Sequence, residues 1–246
     1  MFRLILLLTT AILYLILTLP VLLILWLIGK RNPVRRDRIA QSMIRWIFKV
    51  LLAEGNVKVT VIGKERIPQD TAVLYTGNHR SIFDILVTYA HSPKPTGIVA
   101  KKELGSIPVF SLWAKYIGCL FFNRTDLKEG LKMILDGAQK LKNGTSILIF
   151  PEGTRNKNES DLPLLTFHDG SFKMASKSGC PVIPVSLCNT VNIWEGHFPW
   201  VRSAHIILEF GEPIMISSLP AEQKKQIGTY VRGIMEATIE RNQKLI

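Results

Sequence analysis

Twenty-five consecutive residues, Leu4 to Ile28, carry no charge. As one straight helix this run would be ~37 Å long against a hydrocarbon core of ~30 Å, so a tilted span is feasible. Pro20 interrupts it, because proline lacks a backbone donor and kinks a helix. Two half-helices lying within one leaflet are the alternative. A cleaved signal peptide fits poorly. The run exceeds the ~7–15 residues of a signal core, and no small-x-small cleavage site follows it. A basic cluster over residues 29–38, GKRNPVRRDR, follows instead. The positive-inside rule places that cluster on the cytoplasmic side. The expectation is a retained membrane anchor with the remainder of the chain at the cytoplasmic face.

Charge reinforces this reading. The formal net charge is +12, and residues 1–50 hold eight basic side chains against one acid, Asp37. Asn32-Pro33 is a helix start, with Asn as N-cap and Pro at the first helical position. The helix it opens should run to about Ala53. It places Ala40, Met43, Ile44, Ile47 and Leu51 on one face and Arg38, Arg45 and Lys49 opposite. A basic amphipathic helix suits an anionic lipid surface; packing on the protein with a solvated basic face is the other reading. Nucleic acid is a weaker partner, since no binding motif accompanies the charge. Residues 1–54 are therefore expected to form membrane-anchoring helices, and residues 55–246 one catalytic-sized domain.

That second part reads as α/β. Hydrophobic residues at 47% rule out a disordered chain, and three cysteines rule out a disulfide framework. Strand candidates are Val57–Val61 (an edge hairpin or first strand), Ala72–Tyr75, Gly97–Ala100, Cys119–Phe122, Ile147–Phe150, Val182–Leu187 and His205–Phe210. Helices are expected over Ile82–Tyr89, Val109–Tyr116, Leu127–Leu141, Ser171–Ser178 and Ala221–Lys244. Ile147–Phe150 is almost wholly apolar, as a central strand covered on both faces would be. The alternation predicts a mostly parallel or mixed sheet flanked by helices, preceded by the N-terminal membrane-associated helices.

In open α/β sheets, ligands bind beyond the carboxyl ends of the strands. Four such ends carry polar residues: Gly77-Asn78-His79-Arg80-Ser81, Lys101-Lys102, Asn123-Arg124, and Pro151-Glu152-Gly153-Thr154-Arg155. With parallel strands, a histidine and several cations would gather at one edge, as a base and an anionic substrate require. His79 in a loop and Asp84 in the first turn of the next helix can meet. The carboxylate would then fix the imidazole tautomer and leave the other ring nitrogen to take a proton. Asp84 also fits a plain capping role, in Ser81-Ile82-Phe83-Asp84. Gly153 would let backbone approach a ligand, Arg155 could grip a phosphate, and Glu152 could orient a hydroxyl. Arg124 and Arg155 could equally be solvated or ion-paired side chains. A metal pair is disfavoured, because no second His or Cys stands at ligand spacing near His79.

These residues carry a resemblance. Asn78-His79-Arg80-Ser81-Ile82-Phe83-Asp84 is similar to the first block of the glycerolipid acyltransferases. Phe150-Pro151-Glu152-Gly153-Thr154-Arg155 resembles their third block, Gly118–Arg124 their second and Val182-Ile183-Pro184-Val185 their fourth. Two positions depart from the usual pattern: Asn123 stands where an Asp is frequent, and His168 where a basic residue is common. The resemblance implies a bacterial-type 1-acyl-sn-glycerol-3-phosphate acyltransferase. His79, oriented by Asp84, would deprotonate the sn-2 hydroxyl of lysophosphatidic acid. That oxygen would attack an acyl thioester of coenzyme A or acyl carrier protein, giving phosphatidic acid with no metal, no cofactor and no acyl-enzyme. Arg124 and Arg155 would hold the phosphate. Asn78, Glu152, Gly153 and Thr154 would shape the acceptor site. Lys101 and Lys102 would meet phosphate, carrier protein or headgroup.

Three other readings stand beside it. A different acceptor, such as glycerol 3-phosphate or another lysophospholipid, would use the same blocks. A thioesterase or lipase would need a nucleophile, yet no Gly-x-Ser-x-Gly elbow occurs. A membrane-bound phosphatidate-binding protein would bind without turnover.

Overall fold

Alternate residues along each strand point to opposite faces, and both faces of this sheet are apolar. Leu74, Ile147, Ile149, Val182 and Ile207 form one buried cluster; Val73, Tyr75, Leu148, Ile183, Val185 and Leu208 form another. A sheet of this kind must be covered twice. The computed structural model, which describes residues 1–246, shows how.

Seven strands form the sheet: β1 (Val57–Ile62), β2 (Leu74–Gly77), β3 (Thr96–Lys101), β4 (Leu120–Phe122), β5 (Ser146–Ile149), β6 (Val182–Cys188) and β7 (Ala204–Phe210). Their order is β1-β7-β6-β2-β5-β3-β4. From β6 to β4 every neighbour is parallel; β7 runs antiparallel to β6, and β1 is parallel to β7. The sheet is thus mixed with a parallel majority, as the alternation predicts. β1 is an edge strand without a hairpin partner.

One face is covered by α6 (Leu127–Lys142), α7 (Lys173–Ser178) and α9 (Ile227–Asn242), through Met133, Leu141, Met174, Val231, Met235 and Ile239. The other is covered by α3 (Pro33–Glu54), α4 (Phe83–His91) and α5 (Phe110–Tyr116). The helix expected over Ala221–Lys244 is divided, with α8 (Ala221–Lys225) separated from α9 at Gln226. The strand expected at Ala72–Tyr75 lies two residues later. Val73 gives its N–H to Ser146 Oγ, so sheet pairing of this strand begins at Leu74.

The long apolar run is two helices, α1 (Phe2–Leu17) and α2 (Leu19–Arg31), bent by 48°. Neither helix alone is long and apolar enough to cross a membrane. The break falls at Thr18, where Pro20 occupies the first turn of α2. Thr18 is buried, its hydroxyl donating to Tyr14 O (2.6 Å) and accepting from Trp113 Nε1 (3.2 Å). The bend is therefore pinned to α5. Asn32 caps α3 by accepting from Arg35 N (2.9 Å). The apolar face of α3 is buried, with Ala40, Ile44 and Ile47 meeting Leu25 of α2 and Trp113. Arg38 and Lys49 stay exposed. Arg45 leaves the expected basic stripe, because its guanidinium turns inward to Lys94 O (3.3 Å).

Candidate active site

β2, β5, β3 and β4 are consecutive parallel neighbours, so the four polar strand ends emerge at one edge of the sheet. At a strand spacing of ~4.8 Å, the loops after β2 and β5 are adjacent, whereas the loop after β4 lies ~14 Å along from β2.

Asn78 follows β2 and is fully buried. Its amide donates to Leu187 O (2.9 Å) and accepts from Leu187 N (2.8 Å), clamping the ends of β2 and β6 together. Both ends of the Asn78 amide are thus engaged inside the sheet, which gives this residue a bracing role.

His79 stands in the turn between β2 and α4. Its Nδ1 lies 2.9 Å from Asp84 Oδ2. A carboxylate only accepts, so Nδ1 carries a proton, and in the neutral imidazole Nε2 then holds the lone pair. The imidazole stacks on Phe150, with centroids 4.2 Å apart and planes 20° from parallel. Asp84 is wholly buried, and its Oδ2 also accepts from Arg80 N (2.7 Å) and Ser81 N (2.8 Å). Asp84 thus caps the helix start and orients the histidine with one oxygen. The two sequence readings of this residue hold together.

Glu152, from the loop after β5, is buried. Its Oε1 accepts from His79 N (2.7 Å) and its Oε2 from Leu165 N (3.0 Å). Burial pushes its carboxyl above the usual range, and these two N–H groups pull the other way. Both oxygens of Glu152 thus accept from backbone, and the side chain braces the turn that carries His79. Gly153 adopts φ +70°, where a Cβ would lie 3.2 Å from the exposed His168 ring, so the tight turn does require glycine. Thr154 and Arg155 are exposed at the same edge.

Two acids that the sequence did not point to complete the cluster. Asp161 accepts from Arg80 Nη1 at 2.6 Å, and both side chains are buried. Arg80 also donates to Asn158 O, and Asn156 N donates to His79 O (2.7 Å). Residues 156–161 are therefore strapped to the histidine loop. Glu195 accepts from Ser81 Oγ (2.6 Å), Ile82 N (2.9 Å) and Arg155 Nη1 (3.0 Å). It brings Arg155 to the start of α4, beside the histidine loop.

The remaining cations are not joined to this cluster. Arg124 is exposed at the far end of the edge. Lys101 is exposed at the end of β3, and Lys102 pairs with Glu129 of α6. Burial pushes the thiols of Cys119 and Cys188 up to about 12, so neither is a thiolate nucleophile near neutrality. No three His, Cys, Asp or Glu side chains converge in an arrangement that would hold a metal.

An oriented imidazole with a free nitrogen, next to a guanidinium and without an adjacent nucleophile, is equipped to activate a hydroxyl on an anionic acceptor. Residues 58–188 match the family model described as acyltransferase. The chain belongs to the acyltransferase family. Among its relatives, the 1-acyl-sn-glycerol-3-phosphate acyltransferase of Borreliella burgdorferi is 29% identical over 203 residues, covering 82% of this chain and 80% of that one. The protein of the same description from Haemophilus influenzae is 30% identical over 187 residues, covering 72% and 73%. The crystal structure of the 1-acyl-sn-glycerophosphate (LPA) acyltransferase PlsC from Thermotoga maritima superposes with a TM-score of 0.80, at 23% identity, over 98% of this chain and 95% of that one. This acyltransferase therefore shares its fold with that structure along nearly its whole length, N-terminal helices included.

Proposed function

We propose that this acyltransferase moves an acyl group from an acyl thioester to the sn-2 hydroxyl of 1-acyl-sn-glycerol 3-phosphate, giving phosphatidic acid. The observation that carries the reading is the 2.9 Å contact between His79 and the buried Asp84, set beside Arg155. His79 Nε2 takes the proton of the sn-2 hydroxyl while that oxygen attacks the thioester carbonyl. Asp84 supports the imidazolium that forms. The tetrahedral intermediate collapses, the carbon–sulfur bond breaks, and the thiolate leaves with the proton that His79 returns. Arg155, with a nitrogen pair still open, holds the acceptor phosphate. Arg124 and the exposed Lys101 and Lys102 lie along the same edge. Their place suits the phosphates of coenzyme A or the acidic surface of an acyl carrier protein.

The lipid substrate gives α1 and α2 a purpose. Ile5, Leu8, Ile12, Ile16, Leu23, Ile24 and Leu27 are exposed on them. A bent pair too short to cross singly suits insertion into one leaflet, with the basic residues 30–38 at the headgroups of the cytoplasmic face. In this reading residues 1–54 anchor the protein and residues 55–246 carry out the chemistry.

The test is incubation of the purified full chain with a panel of lysolipids, glycerol 3-phosphate and both thioester donors, with products identified by mass. Phosphatidic acid from lysophosphatidic acid is the expected product. His79→Ala should lose ~10²–10⁴-fold in turnover while keeping its melting temperature. Near-normal turnover by folded His79→Ala protein would overturn the mechanism.

A further inference from the structure

Glu195 lies outside every motif in the chain, in a turn 114 residues downstream of Ser81. Its carboxylate nevertheless joins the two segments on which the reaction depends. Through Ser81 Oγ and Ile82 N it is fixed to the turn that carries His79 and starts α4. Through Oε1 it receives Nη1 of Arg155.

We infer that Glu195 is a positioning residue that holds the Arg155 guanidinium in register with the His79 base and so sets acceptor affinity. The inference rests on the reading of Arg155 as the ligand of the acceptor phosphate.

Three features support it. Glu195 is anchored by two donors of the histidine loop that are independent of Arg155, so its position does not follow the arginine. It engages Nη1 alone, and the other guanidinium N–H groups remain available for a phosphate. The Arg155 side chain is 49% exposed, against 20% for Glu195. Without the tether, a long and half-exposed arginine would sample many rotamers, and ordering it would fall to each incoming acceptor. The tether removes that cost beforehand. The carboxylate does not leave a bare negative charge beside the phosphate, since a guanidinium, a hydroxyl and the N–H at the start of α4 already surround it.

The experiment measures KM for lysophosphatidic acid, KM for the thioester donor, kcat and melting temperature for the full chain, for Glu195→Ala, Glu195→Gln and Arg155→Ala, and for the Arg155→Ala/Glu195→Ala double variant. Glu195→Ala should raise the acceptor KM about tenfold, the scale of one charge-assisted hydrogen bond, with donor KM and kcat little changed. Glu195→Gln keeps an oxygen for Arg155 and Ile82 and should recover most of the loss. In the Arg155→Ala background, Glu195→Ala should add nothing to the acceptor KM. Three outcomes overturn the inference. They are an unchanged acceptor KM in Glu195→Ala, a lowered one (the mark of a carboxylate competing with phosphate), or equal losses in every parameter together with a fall in melting temperature. If Arg155→Ala itself leaves the acceptor KM unaltered, the reading of Arg155 fails first. That result is distinct from failure of Glu195 alone.

Discussion

Gly77 and Phe150 leave no space between them for a methyl group: a Cβ on Gly77 would lie 2.9 Å from Cε1 of the Phe150 ring. That ring is the surface on which His79 rests. Gly77→Ala should therefore push Phe150 and tilt the imidazole away from its working angle. Turnover should fall by tenfold or more, roughly the scale of a small misplacement of reacting groups, with acceptor KM less affected. Steady-state kinetics checks this, and full activity would show that the stack does not set the histidine.

Arg80 and Asp161 are a buried pair, and removing Arg80 leaves Asp161 charged with only the Asn189 N–H (3.0 Å) to meet it. Arg80→Ala should cost about 3–5 kcal/mol of stability, read from denaturant unfolding. It should also loosen residues 156–161 from the histidine loop, seen as faster amide exchange at Asn156, whose N–H donates to His79 O. Unfolding that matches the parent would mean that the pair is solvated.

Glu209 on β7 gathers Arg66 (3.0 Å), Arg241 (2.7 Å) and Asn242 (2.8 Å). Burial alone would raise its carboxyl, but hydrogen bonds from Asn242, Arg241 and Arg66 outweigh it and hold the group below the usual range. A depressed folded value means that the stabilisation is present above the unfolded pKa of ~4.3 and is lost as pH falls through the folded one. Glu209→Gln should therefore melt lower than the parent at pH 7. The two melting curves should converge as the solution is acidified below ~4. A gap that stays constant with pH would assign the effect to packing.

The outward residues of the bent helix pair make a separate prediction. Replacing Ile12 and Leu23, both exposed, with Lys should release the chain from anionic vesicles in a flotation assay and leave its melting temperature within a degree or two, about the effect of ordinary surface substitutions. Turnover of a short-chain, water-soluble acceptor should persist. Retention on vesicles would remove these helices from the lipid contact.

Much of the molecule was legible because it is written locally. Strand ends, the Gly179 stop of α7 and the Asn32 cap of α3 each depend on a few neighbouring residues, and the structure places them near where the sequence puts them. The meeting of His79 and Asp84 was legible for the same reason, since only five residues separate them. The acids that brace the cluster were not. Asp161 and Glu195 meet their partners across 81 and 114 residues, and nothing in their own surroundings marks them. Asn78 and Glu152 show the converse. Their types and neighbours suit a substrate contact, yet the long-range partners Leu187 and Leu165 take up their polar atoms.

The same long separations fix when the His79 loop can first be braced. During synthesis the ribosome delivers the imidazole well before Glu152, Asp161 and Glu195, which follow their contacts in its loop by 73, 81 and 114 residues. A nascent chain therefore holds an unbraced histidine until most of its length has emerged. The full set of braces around His79 is therefore complete only late in synthesis, long after α1 and α2 have emerged.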